Sequence, residues 1–261
     1  MQIAKYDEEG CAFPVAALDK SETRRYLDEY RKVASRLGGS PRPTQLFLLH
    51  LFHGWAWELV THPKILDAVE QVIGPNILVW DSSVFPKPAN SGGYVSMHQD
   101  GTYWGLSQGE VTTAWVALTE STRANGCMRV LPGSHRLPIL PHEDTHADEN
   151  LLTRGQVVSR QVKESDVVEV ELQPGTVSLH HTRLIHGSNA NHSDRDRIGY
   201  AIRYVSPEVV ADKDRYPAIL ARGRETSGRW SVLQSPPCYK SFEEAHAAQQ
   251  EAAERHFRDL T

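Results

Sequence analysis

The chain has 261 residues, of which 39% are hydrophobic and 23% are charged, and its formal net charge is −5. This acidic balance without basic blocks argues against nucleic acid as a partner, and the length suits one domain with a full core. No apolar run approaches the roughly 18 residues of a membrane span, and no signal-peptide pattern opens the chain. We therefore expect a cytoplasmic protein without a membrane partner. Three scattered cysteines predict neither a disulfide framework nor a zinc site.

The first third of the chain has helical patterning. Asp19 or Ser21 can cap a helix, Gly38-Gly39 can end it, and Pro63 can open another. A run at 46–51 fits either a strand or the start of a helix. We predict helices from 19 or 21 to 37, at 53–60 and from 63 to 74.

From residue 76 the pattern changes to short strands with Gly and Pro turns between them. A capping box at 241–244 then predicts a C-terminal helix. Strands after a helical preface predict a jelly roll or barrel rather than a doubly wound sheet. We predict a single domain at 1–261, with a helical preface at 1–75, a β core at 76–205 and a C-terminal extension at 206–261.

A histidine and a carboxylate two residues apart, His98 and Asp100, lie in a stretch with strand character. On a strand both side chains would share a face and could bind one metal ion. The spacing alone is weak, because the chain contains four His-x-Asp pairs. The other three lie in polar or turn-like runs, so context selects the first pair; they are His142/Asp144, His146/Asp148 and His192/Asp194.

The third metal ligand should come from a strand far downstream. The candidates are His180, His181 and His186. Strand alternation puts only one of His180 and His181 inward. His186 has apolar neighbours and a following glycine that allows close approach, which favours it modestly.

Three motifs in this order resemble the phytanoyl-CoA dioxygenase family over roughly residues 6–205. They are His98-Gln99-Asp100, the run Asn-Gly-Cys-Met-Arg-Val-Leu-Pro-Gly-Ser-His-Arg at 125–136, and His186-Gly187-Ser188 with Asn191, Ser193 and Arg197. The family consists of non-haem iron, 2-oxoglutarate-dependent oxygenases. The resemblance implies a mainly β, double-stranded β-helix fold (a cupin-like jelly roll), with N-terminal helices packed outside it and a C-terminal helix.

The resemblance also implies a metal site. It assigns Fe(II) binding to His98, Asp100 and His186, with 2-oxoglutarate and O2 as co-substrates. Halogenating relatives replace the carboxylate with Gly or Ala to admit chloride. The retained Asp100 therefore disfavours halogenation.

Arg197 is assigned to the distal carboxylate of 2-oxoglutarate, which a planar guanidinium can hold through two parallel hydrogen bonds. Arg195 and Arg203 compete for this role, but Arg195 falls in a predicted turn and Arg203 lies outside the family pattern. The resemblance adds three further 2-oxoglutarate contacts: Gln99, Trp115 and Ser188. Strand geometry agrees least with Gln99, which should point away from the metal pair.

Substrate contacts are harder to predict, and each candidate has a structural alternative. The candidates for a substrate pocket are Phe85, Lys87, Tyr103, Trp104 and His135. We expect the enzyme to hydroxylate or oxidatively cyclise a small molecule, in natural-product (antibiotic) biosynthesis, while 2-oxoglutarate is decarboxylated to succinate. The alternative is a catabolic hydroxylase of a small zwitterion or an acyl-CoA, although no basic cluster for the CoA phosphates stands out.

Two functions of other classes remain open at this point. A non-oxygenase metal cupin would use the same three ligands, and a binding module would keep the fold alone. Neither needs Arg197 at its spacing from His186. Replacing Arg197 with alanine separates them, since only the oxygenase loses 2-oxoglutarate turnover while keeping its metal.

Overall fold

The computed structural model describes residues 2–102, 104–107, 110–152, 154–211 and 217–258. These residues fall into two compact units. The first unit contains residues 1–17, 86–105 and 115–199, and the second contains 18–85, 106–114 and 200–261. The prediction of a single domain stays a prediction.

Helices occur where the sequence predicts them. The helix predicted first begins after Asp19, whose carboxylate caps it in a capping box with Glu22. Residues 46–51 form neither a strand nor an α-helix but parts of two short 3-10 turns. Among the helices of the described residues, none has the length and apolar character needed to cross a membrane. The helices are α1 (Tyr6–Glu9), α2 (Lys20–Arg36), α3 (Gly54–Val60), α4 (Pro63–Ile73) and α5 (Phe242–Arg258).

Strands fill most of the remaining chain, and most of them are short. They are β1 (Cys11–Ala16), β2 (Ile77–Lys87), β3 (Val95–His98), β4 (Leu106–Ser107), β5 (Val111–Ala117), β6 (Met128–Val130), β7 (His142–Asp144), β8 (Gln156–Val158), β9 (Val168–Val170), β10 (Thr176–His181), β11 (His186–Ser188), β12 (Arg197–Val205), β13 (Val210–Ala211), β14 (Ala218–Arg222) and β15 (Val232–Leu233).

The first unit is built from two sheets. One has the strand order β1-β10-β5-β12, to which β12 contributes its first residues, Arg197–Gly199. The other is four-stranded, with the order β3-β11-β6-β9. Strands β7 and β8 form a separate antiparallel pair. Each strand of the four-stranded sheet is three or four residues long, so side chains at i and i+2 supply its inner face.

The second unit combines helices α2 to α5 with the sheet order β12-β2-β14-β15. Buried apolar side chains of α4 (Ile65, Leu66 and Val69 among them) supply one side of its core. Three strands, β13 to β15, lie between residues 206 and 240, a stretch that the sequence left without assigned elements. A mainly β fold with helices in the N-terminal third and a helix at the C-terminal end is therefore confirmed, but β1 lies inside the segment 1–75 that was predicted as a helical preface.

Candidate metal centre

The two histidines of the candidate metal centre lie directly opposite each other on neighbouring strands. His98 ends β3 and His186 begins β11, and the antiparallel register pairs them. Their ring centroids are 4.3 Å apart. Both side chains are buried, with exposed fractions of 2% and 8%. The pairing of two strands distant in sequence therefore brings together the two halves of the predicted metal site.

Both imidazoles are oriented in the same way. Nδ1 of His98 donates to the carbonyl of Ser96 at 2.9 Å, and Nδ1 of His186 donates to the carbonyl of Leu184 at 2.9 Å. A hydrogen bond from Nδ1 fixes the tautomer in which Nε2 carries the lone pair. Each histidine thus presents Nε2 as a ligand atom.

Asp100 joins the two histidines, although the strand argument for it is wrong. Strand β3 ends at His98, and Asp100 opens a 3-10 turn over residues 100–102. The amide of Gly101 donates to the carbonyl of Thr182 at 3.0 Å, which bends the chain out of the strand. Oδ1 of Asp100 lies 3.3 Å from Nε2 of His98 and 3.9 Å from Nε2 of His186.

This donor set fits a divalent iron site. One ligand atom from each of His98, Asp100 and His186 lies within 4.8 Å of the other two. Burial alone would raise the pKa of Asp100, but the neighbouring histidines hold it well below its usual range. Burial and His98 lower the pKa of His186 to about 3. At neutral pH the site therefore offers a carboxylate and a neutral imidazole, the forms that bind a metal.

A fourth histidine lies beside the three. His180, on β10, has its ring centroid 4.7 Å from that of His186 and its Nε2 3.8 Å from Oδ2 of Asp100. The next residue, His181, points the other way and lies near Tyr6 and His135. The expectation that only one of the pair faces inward is confirmed, and the sequence left its role open.

Two buried basic side chains, Lys87 at the end of β2 and Arg197 at the start of β12, belong to the same unit as the two histidines. Ser188 is two residues after His186, and its hydroxyl accepts a 2.7 Å hydrogen bond from Nζ of Lys87. Lys87 also donates to the carbonyl of Asn189. Burial, and then Arg197, lower the pKa of Lys87 to about 6. Lys87 is thus coupled electrostatically to Arg197, the arginine predicted to bind 2-oxoglutarate.

Arg197 is 3% exposed, and no carboxylate of the described residues forms an ion pair with it or with Lys87. Among the described residues its Nε has no hydrogen-bond partner. Burial lowers the pKa of Arg197 to about 10, so the guanidinium stays charged at neutral pH. A buried guanidinium without a carboxylate is unfavourable unless an anion joins it.

Trp115 forms the wall on which Arg197 rests. The guanidinium carbon lies 5.2 Å from the ring centroid of Trp115. Gly199 follows two residues after Arg197, and a Cβ at Gly199 would lie 1.8 Å from Cζ2 of the same indole. Only a glycine permits this approach. The predicted contact of Trp115 with 2-oxoglutarate stays a prediction, and its contact with Arg197 explains why a large ring occupies that position.

The placement of Gln99 does not support its predicted contact with 2-oxoglutarate. Its Nε2 donates to the carbonyls of Arg183 at 2.8 Å and Pro138 at 3.3 Å, and its Oε1 accepts from the amide of Leu140 at 2.8 Å. The side chain is fully buried, so these backbone groups use its amide. Gln99 instead ties the His98–Asp100 segment to the segment that precedes His186.

The predicted substrate-pocket residues are spread over different parts of the molecule. Lys87 lies beside Arg197, as described above, and Tyr103 lies outside the described residues. Trp104 is buried in the first unit. Phe85 belongs to the second unit, where it lies beneath the guanidinium of Arg203 at 5.6 Å.

His135 packs against the N-terminal segment. Its ring fills the space that a Cβ of Gly10 would need, at 2.5 Å, and its Nε2 lies 3.3 Å from the carbonyl oxygen of Asp7. Contacts of this kind stabilise the fold and do not support a substrate role.

The serine of the second family motif (residues 125–136) binds the backbone next to the metal centre. The hydroxyl of Ser134 accepts from the amide of Ile185 at 2.8 Å and donates to the carbonyl of Leu131 at 2.6 Å. Ile185 immediately precedes His186. The motif therefore fixes the chain where β11 begins, a role that sequence reasoning did not assign.

Comparison with known proteins places this site in a family. The profile of the phytanoyl-CoA dioxygenase family matches residues 6–199. The chain belongs to the phytanoyl-CoA dioxygenase family. The match covers the three metal-site residues, Arg197 and the segment around Ser134, all of which lie in the first unit.

Two curated relatives match over part of their length. A probable phytanoyl-CoA dioxygenase of Caenorhabditis elegans is 29% identical, over 65% of this chain and 55% of that protein. A probable alpha-ketoglutarate-dependent hypophosphite dioxygenase of Stutzerimonas stutzeri is 33% identical, over 68% of this chain and 64% of that protein. The matched part of this chain thus spans less than two thirds of each of these family members.

Two solved structures of one protein, ThoJ, match this chain over nearly its whole length. The non-heme monooxygenase ThoJ is 32% identical in its apo form, with a TM-score of 0.82 over 99% of this chain and 100% of that chain. The ThoJ-Ni complex is 31% identical, with a TM-score of 0.77 over 100% of this chain and 98% of that chain. Together with these structures, the family membership confirms the predicted fold class.

Proposed function

We propose that this family member is an Fe(II)- and 2-oxoglutarate-dependent oxygenase that acts on a small molecule. One observation carries the proposal. Ligand atoms of three buried side chains lie within 4.8 Å of one another, and the buried Lys87, which donates to Ser188 two residues after His186, interacts electrostatically with the buried Arg197. A metal cupin of another kind needs only the first of these features. A dicarboxylate that chelates the metal accounts for both.

Each part of the site has a task under this proposal. His98, Asp100 and His186 would hold Fe(II), and Arg197 with Lys87 and Ser188 would hold the distal carboxylate of 2-oxoglutarate. Fe(II) supplies the activation of O2 that couples decarboxylation of 2-oxoglutarate to oxidation of the substrate. Burial of the ligands excludes water from the reacting centre. Retention of Asp100 disfavours halogenation, because the carboxylate occupies the position that chloride takes in halogenating relatives.

The solved structures support one class of reaction. We place hydroxylation or oxidative cyclisation of a small molecule first, because a match that covers nearly the whole of both chains is to a non-heme monooxygenase. The family resemblance set out above adds natural-product biosynthesis as the setting. The curated phytanoyl-CoA dioxygenase relative is matched over only 55% of its length. A catabolic hydroxylase of a small zwitterion or an acyl-CoA is the alternative that a substrate screen must separate from it.

An anaerobic titration tests the proposed activity. We expect the protein to bind Fe(II) and to develop a weak visible charge-transfer band only when 2-oxoglutarate is also present. Release of succinate in air then serves as the readout for a substrate screen. Bound metal without the band would contradict the oxygenase and favour a non-oxygenase cupin.

The pKa of Lys87 predicts a pH dependence for 2-oxoglutarate binding. Because that pKa is about 6 in the free protein, Lys87 is mostly neutral at pH 7.5 and must take up a proton to pair with a carboxylate. The bound anion raises the pKa of Lys87. Affinity for 2-oxoglutarate is therefore highest near pH 6 and falls by up to about tenfold per pH unit above it. Calorimetry in buffers of different ionisation enthalpy measures this proton uptake.

Lys87→Met is the control, because it keeps the stem and removes the titrating group. It is expected to bind 2-oxoglutarate weakly and with a flatter pH profile. An unchanged slope in this variant would assign the proton to another group.

A further inference from the structure

The two oxygens of Asp100 face different partners. Oδ1 lies 3.3 Å and 3.9 Å from the Nε2 atoms of His98 and His186. Oδ2 lies 3.8 Å from Nε2 of His180. The metal-facing oxygen and the oxygen that faces the fourth histidine are thus distinct atoms.

His180 is held close to that second oxygen. It lies near the end of β10, where Cys11 of β1 pairs with it across the sheet, and it is 2% exposed. The described metal-ligand group comprises His98, Asp100 and His186 without it. Its distance to Oδ2 is about 0.6 Å beyond the usual limit for a nitrogen-to-oxygen hydrogen bond.

We propose that His180 is a positioning residue that holds Oδ2 of Asp100 and so makes Asp100 a one-oxygen ligand. The inference rests on the proposed iron site. It adds that His180 helps to decide how many coordination positions on the metal stay open. A carboxylate can bind a metal through one oxygen or through two. Two-oxygen binding would occupy a position that 2-oxoglutarate or O2 requires in a site with three protein ligands. A donor on Oδ2 disfavours it.

The sequence carries a matched control for this proposal. His181 is the next residue on the same strand, but it faces Tyr6 and His135, and its Nδ1 accepts from the amide of Arg183 at 2.9 Å. Replacing His181 with leucine disturbs the strand and the neighbouring packing without touching Asp100. An effect of His180→Leu that His181→Leu lacks therefore comes from the face that carries the metal ligands.

The test uses Co(II) as a spectroscopic probe in the full chain, with calorimetry for Co(II) and then 2-oxoglutarate. His180→Leu is expected to retain Co(II) binding within a few-fold of wild type. This variant should alter the visible Co(II) spectrum. It should also lower the affinity for 2-oxoglutarate by about tenfold or more, because a hydrogen bond to a charged group is lost. His180→Gln, which keeps an N–H donor near the position of Nε2, should restore both readouts. Melting temperatures show whether each variant is folded.

Four outcomes would overturn the inference. An unchanged Co(II) spectrum and 2-oxoglutarate affinity in His180→Leu would remove any role on Asp100. A loss of Co(II) affinity by about a hundredfold or more would make His180 a ligand instead. Equal effects of His180→Leu and His181→Leu would show a packing role. Wild-type protein that binds no Co(II) would overturn the iron site and the inference together, which distinguishes failure of the proposed function from failure of this step.

Discussion

Replacing Arg197 with alanine is expected to weaken 2-oxoglutarate binding by at least about thirtyfold while Fe(II) binding is nearly unchanged. The guanidinium is 3% exposed and has no carboxylate partner among the described residues, so a bound dicarboxylate would be its first. Removing one partner of a buried charge pair costs roughly 2–5 kcal/mol, which corresponds to this loss of affinity. Calorimetry with Fe(II) and then 2-oxoglutarate under anaerobic conditions measures both constants.

The control for this variant is Arg195→Ala. Arg195 lies two residues earlier, and its side chain is 77% exposed with only surface partners, Glu120 at 3.7 Å and Asp194 at 3.9 Å. Its replacement should leave the affinity for 2-oxoglutarate within about twofold of the wild-type value, because exposed ion pairs contribute little free energy. Equal losses in the two variants would contradict the assignment of Arg197.

The burial of Arg197 is expected to lower the stability of the free protein while it favours binding of 2-oxoglutarate. A buried cation that has no carboxylate partner among the described residues destabilises the free protein. Arg197→Met, which keeps much of the volume, is therefore expected to unfold at the same or a higher temperature than wild type without ligand. A ligand-induced rise in melting temperature should be seen only in the wild type.

Replacing Gly199 with alanine is expected to be the most disruptive single-methyl change at this site. The added Cβ would lie 1.8 Å from Cζ2 and 2.2 Å from Cε2 of Trp115, so the indole must move. Overpacking of this kind costs about 1–3 kcal/mol of folding free energy. Because the indole supports Arg197, we also expect 2-oxoglutarate affinity to fall by about tenfold. Thermal unfolding and 2-oxoglutarate titration measure the two effects.

A double variant tests the cause. Trp115→Phe replaces the indole with a smaller ring and makes room for a methyl group. Adding Gly199→Ala to Trp115→Phe should then lower the free energy of unfolding by less than Gly199→Ala does alone. The difference between the two losses is the interaction free energy of a double-mutant cycle. Strict additivity of the two changes would show that the methyl group acts elsewhere.

The metal centre could be predicted from sequence because its parts lie in short motifs. His98 and Asp100 are two residues apart, and His186, Ser188 and Arg197 follow one another within twelve residues. What the pattern could not supply is the path of the backbone between them. It placed Asp100 on a strand that ends at His98. The family resemblance, against strand geometry, assigned to 2-oxoglutarate a glutamine that binds the backbone at Arg183 and Leu140.

The other contacts that could not be predicted from the sequence join residues that are far apart in the chain. The function of Lys87 depends on Ser188, about a hundred residues away, although a lysine at the end of an apolar strand is itself a signal of a buried charge. His135 belongs to a family motif but packs on Gly10, a contact that no local pattern encodes. Strand alternation did separate His180 from His181, yet only the folded chain shows which of the two faces Asp100.

The register that sets His186 opposite His98 has a consequence for the life of the protein in the cell. These two residues are about 90 positions apart, so a metal ion bound by both would act as a reversible cross-link that closes a long loop. A ligand that binds only the folded chain also stabilises it by mass action. The supply of iron would then set how much of this protein survives proteolysis, as well as how much of it is active.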